Sequence, residues 1–295
     1  MKIFPPQLAL ALSSLFWSGN FIVGRALRDN VPAIPLNYWR WIIALIILLP
    51  FSFKLVRENI VLLIQHWRFM LALAITGIAG FHIAVYQALH TTTAINAVLF
   101  LSISPVMIVI GSRIAFHERI QTLQIMGIII SLGGVVVLLT HATLDNLLAL
   151  HLNHGDLWML LAVVLWSIYS VILKQKPQEM PQTVLLNGVI IFGVVIMTPL
   201  NLMMTSLDNN ITIDSSTVIG LLYIGIFASI AAYFCWNYGV SNLGPNKAGT
   251  YLHLIPLFGA MLSILLLGEQ IQSYHIAGAV LIALGIILAN RKIKL

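Results

Sequence analysis

Residues 88–137 read ALHTTTAINAVLFLSISPVMIVIGSRIAFHERIQTLQIMGIIISLGGVVV, and this stretch returns later in the chain at an offset of 151. Pro105 maps to Pro256, Ser112 to Ser263, Glu118 to Glu269, Ile120 to Ile271, Gly127 to Gly278 and Gly134 to Gly285. Each copy is an apolar run interrupted by proline, a glutamate-centred turn, and a second apolar run bearing glycines. Self-similarity at a fixed offset marks an internal repeat. Repeated apolar halves with interrupted segments are a pattern of secondary transporters. Upstream the correspondence continues at an offset of 149, with Trp17-Ser18 on Trp166-Ser167, Pro32 on Pro181 and Pro50 on Pro199.

Composition excludes a water-soluble domain. Of 295 residues 60% are hydrophobic and 8% charged, with a mean hydropathy of +0.98, whereas soluble domains carry about 25% charged residues. The apolar runs are continuous rather than alternating, which speaks against a β-barrel. Runs of about 20 residues suffice to cross a bilayer as helix. They predict spans near 5–27, 33–53, 69–89, 93–114, 120–140, 156–174, 182–203, 217–240, 246–266 and 272–290. The first run lacks a small-residue cleavage site and reads as a membrane helix rather than a signal peptide. The single cysteine, Cys235, leaves no internal disulfide and no cysteine metal cluster.

The expected fold is an all-α membrane protein of ten transmembrane helices in two inverted five-helix repeats, residues 1–140 and 156–295, joined by an external connection at 141–155. Basic residues set the orientation. With both termini cytoplasmic, Lys2, Lys54, Arg57, Arg68, Arg113, Arg119, Lys174, Lys176, Lys247, Arg291, Lys292 and Lys294 fall inside, and only Arg25 and Arg28 outside, with Arg40 within the second span. This bias accounts for the net charge of +6 without a nucleic-acid partner. Five helices per copy turn the second copy over, which predicts a substrate site near the midplane between the halves.

Polar residues inside spans mark surfaces hidden from lipid. Trp17, Asn20 and Gly24 share one helical face, and their counterparts are Trp166, Tyr169 and Leu173. His82 and Tyr86, four residues apart, map onto Tyr233 and Asn237; Asn96 and Phe100 map onto Lys247 and Tyr251, and Ser102 onto His253. Matching faces are thus polar or aromatic in both halves, as a cavity on a pseudo-twofold axis requires. The competing reading is interhelical hydrogen bonding and interfacial anchoring. Cavity lining is favoured for Trp17, Trp166, Tyr86 and Tyr233; Asn20, Asn96 and Asn237 fit both, and Trp39, Trp41 and Trp67 fit interfacial anchors. Arg40 has no carboxylate at comparable depth and faces Val189 in the repeat. It is expected to snorkel outward or, on the sharper reading, to meet a substrate carboxylate or phosphate. His82 and His253 are read first as structural residues, with a proton relay as the lesser alternative. Glu118 and Glu269 suit helix starts, Pro105 and Pro256 suit kinks that could gate, and Ser102 and Ser104 could satisfy backbone groups freed by Pro105. The glycines permit close helix contact, within the chain or across a homodimer. Protease, hydrolase and nucleotide-binding motifs are absent, so neither an enzyme nor a cofactor is expected. His141, His151 and His154 lie in one polar connection at irregular spacing, which reads as a solvated loop rather than a metal site.

The segments LFWSGNFIVGRAL (15–27), YWR (38–40), ALHTTTAINAVLFLSISPV (88–106), HERIQTLQIMGIIISLGGVVVLL (117–139) and GEQIQSYHIAGAVLIALGIILAN (268–290) resemble the drug/metabolite transporter superfamily in its ten-helix EamA-like branch. The resemblance covers nearly the whole chain. It implies a basket of ten helices with a cavity lined by spans 1, 3, 4, 6, 8 and 9, alternating access by the two halves, a bacterial inner-membrane location and export of amino acids or other small metabolites. The second copy departs from the pattern where VLWSIYSVILK lacks the SGNF of the first. The expected activity is therefore secondary transport of a small organic solute across the lipid bilayer. The alternatives are a multidrug exporter and, further off, a channel or a membrane-embedded enzyme.

Overall fold

A computed structural model describes residues 4–27, 30–148, 153–207, 213–267 and 270–291. Glu269, Arg28, His151 and the outermost lysines lie outside the described residues. Among the described residues ten helices are long and apolar enough to cross a membrane. They are α1 (Pro6–Leu27), α2 (Ala33–Glu58), α3 (Trp67–Leu89), α4 (Ile95–Phe116), α5 (Thr122–Leu139), α6 (His154–Leu173), α7 (Gln182–Met204), α8 (Ser215–Leu243), α9 (Pro245–Leu265) and α10 (Ser273–Asn290). All ten expected spans are present, with boundaries shifted by a few residues.

Capping chemistry fixes several helix starts. Thr93 accepts from Asn96 N at 3.1 Å at the head of α4, and Asn153 and Asp156 form a reciprocal capping box on α6. Asp214 caps α8 by accepting from Thr217 N at 2.7 Å. That bond and one from the Ser216 hydroxyl hold the Asp214 carboxyl below its usual range.

The packing runs between the two halves of the chain. α1 lies against α8 and α9, α6 against α3 and α4, α2 against α7, and α5 against α10. The α5–α10 contact is the closest. A Cβ on Gly285 would stand 2.5 Å from the Gly127 carbonyl oxygen and from Ser131 N, and one on Gly134 would stand 2.8 Å from the Gly278 carbonyl oxygen. Only glycine lets the two backbones meet so closely. The glycine contact that left a homodimer open is therefore made within the chain.

Four spans are irregular where they cross the middle of the bundle. In α3 residues Ala74–Gly80 are π-helical, and in α8 so are Ile224–Ala231. α4 stops at Leu101 and restarts at Ser104, with Pro105 in the first turn of the new segment. α9 passes through a 3₁₀ turn, Thr250–His253, before the helix that contains Pro256. The expected kinks are thus real interruptions. Proline lacks the N–H for the carbonyl four residues back and its ring clashes with it, so the helix yields just upstream of each proline.

Replacing Gly285 by leucine should destabilise the detergent-solubilised protein by about 1–3 kcal/mol, the usual cost of overpacking, and lower its melting temperature. Gly133→Ala, whose Cβ would point into open space, should leave the melting temperature unchanged in the same thermal scan.

Candidate functional site

Trp17 from α1, Trp166 and Tyr169 from α6, Tyr233 and Trp236 from α8, Phe81 and His82 from α3 and Trp41 from α2 meet in one buried aromatic cluster. Trp17 sits edge-on to Trp166 at 5.0 Å between centroids and to Tyr233 at 5.8 Å. Trp166 stacks on Tyr169 at 5.1 Å and lies 4.9 Å from Phe81. Trp41 stands edge-on to Tyr233 at 5.1 Å. Edge-to-face and stacked pairs each add about 0.5–1.5 kcal/mol beyond area burial, so the cluster is rigid. Trp17, Tyr86, Trp166 and Tyr233 all point into the protein rather than toward lipid.

Polar atoms are threaded through the cluster. The Tyr169 hydroxyl donates to Asn237 Oδ1 at 2.7 Å. The Tyr233 hydroxyl donates to the Gly77 carbonyl in the π-helical part of α3. Trp17 Nε1 donates to the Ala228 carbonyl at 3.1 Å in the π-helical part of α8. Asn37 joins α2 to α3 and to Trp41, donating to Ile78 O at 3.1 Å and accepting from Trp41 Nε1 at 3.1 Å.

Arg40 is fully buried and does not snorkel outward, contrary to that expectation. Its Nε donates to Ser229 Oγ at 2.8 Å, Nη1 to the Tyr86 hydroxyl at 2.9 Å and to Asn20 Oδ1 at 3.4 Å, and Nη2 to the Ala228 carbonyl at 3.1 Å. The guanidinium carbon lies 5.1 Å from the Trp41 ring centre. The π-helical turn of α8 supplies the acceptors that let the side chain stay inside. Trp41 is likewise core, fully buried, and not the interfacial anchor its position near a span end suggested; Trp39 and Trp67 remain exposed.

Two neighbouring spaces adjoin the cluster. A small cavity of about 20 Å³, room for one water, is bounded by Trp17, Asn20, Phe81, His82, Trp166 and Leu252 among others. It shares Phe21 and Ile255 with a larger cavity of about 350 Å³, which falls in the size range of small-molecule sites. The larger cavity runs from Ser18 to a rim carrying Arg25, His141, Tyr274 and His275. Its walls come from α1, α4 and α9, which the resemblance implied, and from α5 and α10, which it did not, while the small cavity draws on α1, α3, α4, α6 and α9 of the implied set. The aromatic rings fill the space between α1, α3, α6 and α8, and so displace the opening toward α5 and α10.

The other ends of α4 and α9 are closed. Glu118 does not cap α5, whose N-cap is Gln121. Its carboxylate instead pairs with Lys174 at the end of α6 and accepts from Asn246 Nδ2 at 2.6 Å at the head of α9. Nearby Lys176 donates to Met180 O at 2.6 Å, and partial burial lowers its pKa against an opposing pull from Glu179.

Three expected site residues lie away from the aromatic cluster. Asn96 meets the buried Asp156, which accepts from Thr92 Oγ1 at 2.6 Å. His253 bridges α9, α4 and α5, with Nε2 2.9 Å from the Ser102 carbonyl and Nδ1 2.6 Å from Ser131 Oγ. A carbonyl only accepts, so Nε2 carries the proton and the imidazole satisfies the backbone at the α4 break. Ser102 and Ser104 do not: Ser102 Oγ donates to Val98 O at 2.8 Å and Ser104 Oγ has no partner. Tyr251 is buried in the α9 interruption, and its carbonyl accepts from Ser14 Oγ at 2.8 Å. Sequence reasoning missed Phe81, Trp236 and Ser229. Trp236 was within reach, because it lies one helical turn from Tyr233.

A polytopic bundle enclosing a solute-sized cavity beside a mid-helix aromatic cluster is the architecture of an integral membrane protein. The chain belongs to the EamA-like transporter family, whose profile matches residues 5–140 and 153–291. A protein of Archaeoglobus fulgidus named "Uncharacterized transporter" is 26% identical over 289 residues, 97% of each chain. An Escherichia coli protein named "Probable amino-acid metabolite efflux pump" is 24% identical over 285 residues, 92% of this chain and 89% of its own. One solved crystal structure superposes with a TM-score of 0.79 at 20% identity over 96% of each chain, a likeness of fold. Family and spans together make the protein a multi-pass membrane transporter.

Tyr233→Phe removes the donor to the Gly77 carbonyl and leaves that buried oxygen without this partner. It should cost about 1–3 kcal/mol, read as a lower melting temperature, whereas Tyr38→Phe at a half-buried position should have little effect.

Proposed function

We propose that the protein is a secondary transporter that exports a small organic solute, an amino acid or related metabolite, by alternating access. In this reading residues 1–140 and 156–295 are inverted repeats and the termini face the cytoplasm. The observation that carries it is the pairing of an open cavity at one end of α4 and α9 with a sealed contact at the other. Ile95 and Ser263 line the cavity, while Glu118 joins Lys174 and Asn246 at the opposite ends. A carrier needs its site exposed to one side at a time, and this geometry is one such state. Contacts between residues 151 apart, such as His253 with Ser102, support the repeat reading. The name of the Escherichia coli relative supports the substrate class and direction.

The solute is held where the two cavities meet, with Trp17, Trp166 and Phe81 as stacking walls and Asn20, His82, Tyr169 and Asn237 as polar contacts or their supports. In proteoliposomes, counterflow of radiolabelled amino acids should saturate, and Trp17→Ala and Trp166→Ala should each reduce it by roughly tenfold or more, the loss of one stacking contact of about 1–3 kcal/mol. Flux that rises linearly with concentration and ignores both substitutions would refute the carrier reading.

Glu118 acts as a latch on the sealed face. Because Lys174 and Glu118 are about a third exposed, their pairing is weak, as a gate that opens each cycle requires. A cysteine at Leu173, fully buried beside the latch, should react several-fold faster with a maleimide after Glu118→Gln, measured with Cys235 replaced by alanine. Equal rates would remove Glu118 from gating.

A further inference from the structure

Among the described residues Arg40 is the charged group buried most deeply, and none of its hydrogen-bond partners is an anion. Ser229 Oγ, the Tyr86 hydroxyl, Asn20 Oδ1 and the Ala228 carbonyl are all neutral dipoles. An ion taken from water needs close counter-charge to recover its hydration, and dipoles recover part of it. Three of the bonds measure 2.8–3.1 Å. The fourth, to Asn20 Oδ1, is 3.4 Å, and the Tyr86 hydroxyl also reaches that oxygen at 3.4 Å. Asn20 Oδ1 thus sits between two donors at the limit of bonding distance. It is the one partner of Arg40 that also lines the small cavity.

We infer that Arg40 and Tyr86 form a docking site for the carboxylate of the transported solute, with Asn20 Oδ1 as the stand-in that the carboxylate displaces. An ionised oxygen would bond both donors at about 2.7–2.9 Å and bring the missing charge. The small cavity has room for one water, so the rest of the solute would lie against Trp17, Trp166 and Phe81 only once these rings move apart, and would extend past Phe21 and Ile255 toward the larger cavity, which suits an apolar or aromatic body. A second observation points to a polar group of the ligand in the same space. Trp166 Nε1 is buried, belongs to a residue bordering the small cavity, and makes no hydrogen bond. The substrate class is therefore a small acid or zwitterion with an apolar side group, and not an organic cation alone. This inference rests on the transporter reading of the same chamber.

The test uses the purified full chain and a panel of carboxylic acids, each paired with its uncharged amide, with side groups from methyl to indolyl and with or without an α-amino group. Thermal stability is measured for each compound, because a ligand of the folded state raises the melting temperature. At least one acid should stabilise the protein where its amide does not. Arg40→Gln should weaken that acid on the order of a hundredfold, as expected when one partner of a buried charge pair is lost, and Arg40→Lys should restore part of it. Asn20→Asp places a fixed carboxylate beside Arg40. It should raise the melting temperature of the unliganded protein and abolish the preference for acids, so the inference stays open to test if Arg40→Gln does not fold. Acids and amides that behave alike, no stabilising acid, or an acid preference that survives Asn20→Asp would each overturn it. Saturable counterflow of a solute without a carboxylate would keep the transporter reading while refuting the anion site.

Discussion

Backbone hydrogen bonds lost inside the bilayer must be replaced by protein, because hydrocarbon offers none. This constraint organises the centre of the molecule. Four spans leave regular α-geometry there, and side chains from other helices serve the carbonyls at these irregularities. Trp17 and Arg40 both donate to Ala228 O in the π-helical part of α8, and Tyr233 donates to Gly77 O in that of α3. His253 reaches Ser102 O at the break in α4, and Ser14 reaches Tyr251 O in the interruption of α9. Four of the residues that look functional in the sequence, Trp17, Arg40, Tyr233 and His253, are thus also residues that make irregular backbone tolerable at this depth.

The double use explains which parts of the site were legible in the sequence. The spans were legible because length and apolarity alone decide them. The inward direction of Trp17, Tyr86, Trp166 and Tyr233 was legible because polar or aromatic faces recurring at offsets of 149 and 151 cannot all face lipid. The partners were not legible. Nothing in the neighbourhood of Arg40 in sequence announces a π-helical turn in α8 that offers Ser229 and Ala228 as acceptors, so an outward path was the reasonable expectation. Trp41 misled for the same reason: its nearness to a span end says nothing of the irregular helices that fill in around it. Glu118 was expected at a helix start but lies three residues before the N-cap of α5, and its acceptor capacity is taken up by Lys174 and Asn246, which come from distant parts of the chain.

The aromatic cluster is at once core and cavity wall. Rings packed 5–6 Å apart leave space for a single water in the chamber, and the larger free volume lies above it, toward α5 and α10. A solute can enter the chamber only if rings rotate or helices part. The helices best suited to part are those whose backbone hydrogen bonding is already interrupted. α4 and α9 can bend at their breaks without losing bonds that regular helix would forfeit. The α5–α10 pair, by contrast, is locked backbone to backbone at its glycines and gives the moving parts a fixed reference.

Asymmetry in an otherwise matched pair of halves is where a ligand leaves its mark. Each main packing partner on one side has its counterpart on the other, yet the guanidinium of Arg40 corresponds to the methyl groups of Val189, and Asn20 to the ring of Tyr169. A scaffold needing only stability would gain nothing from placing a single cation on one side of its axis, since dipoles recover only part of its lost hydration. A solute with one charged end and one apolar end has the same lopsidedness. The charge sits behind Asn20 and the aromatic faces of Trp17, Phe81 and Trp166 border the same chamber from α1, α3 and α6, so a polar group and apolar rings lie side by side in its lining. In the proposed transporter it is this juxtaposition, rather than the ten-helix frame shared across the family, that selects the solute.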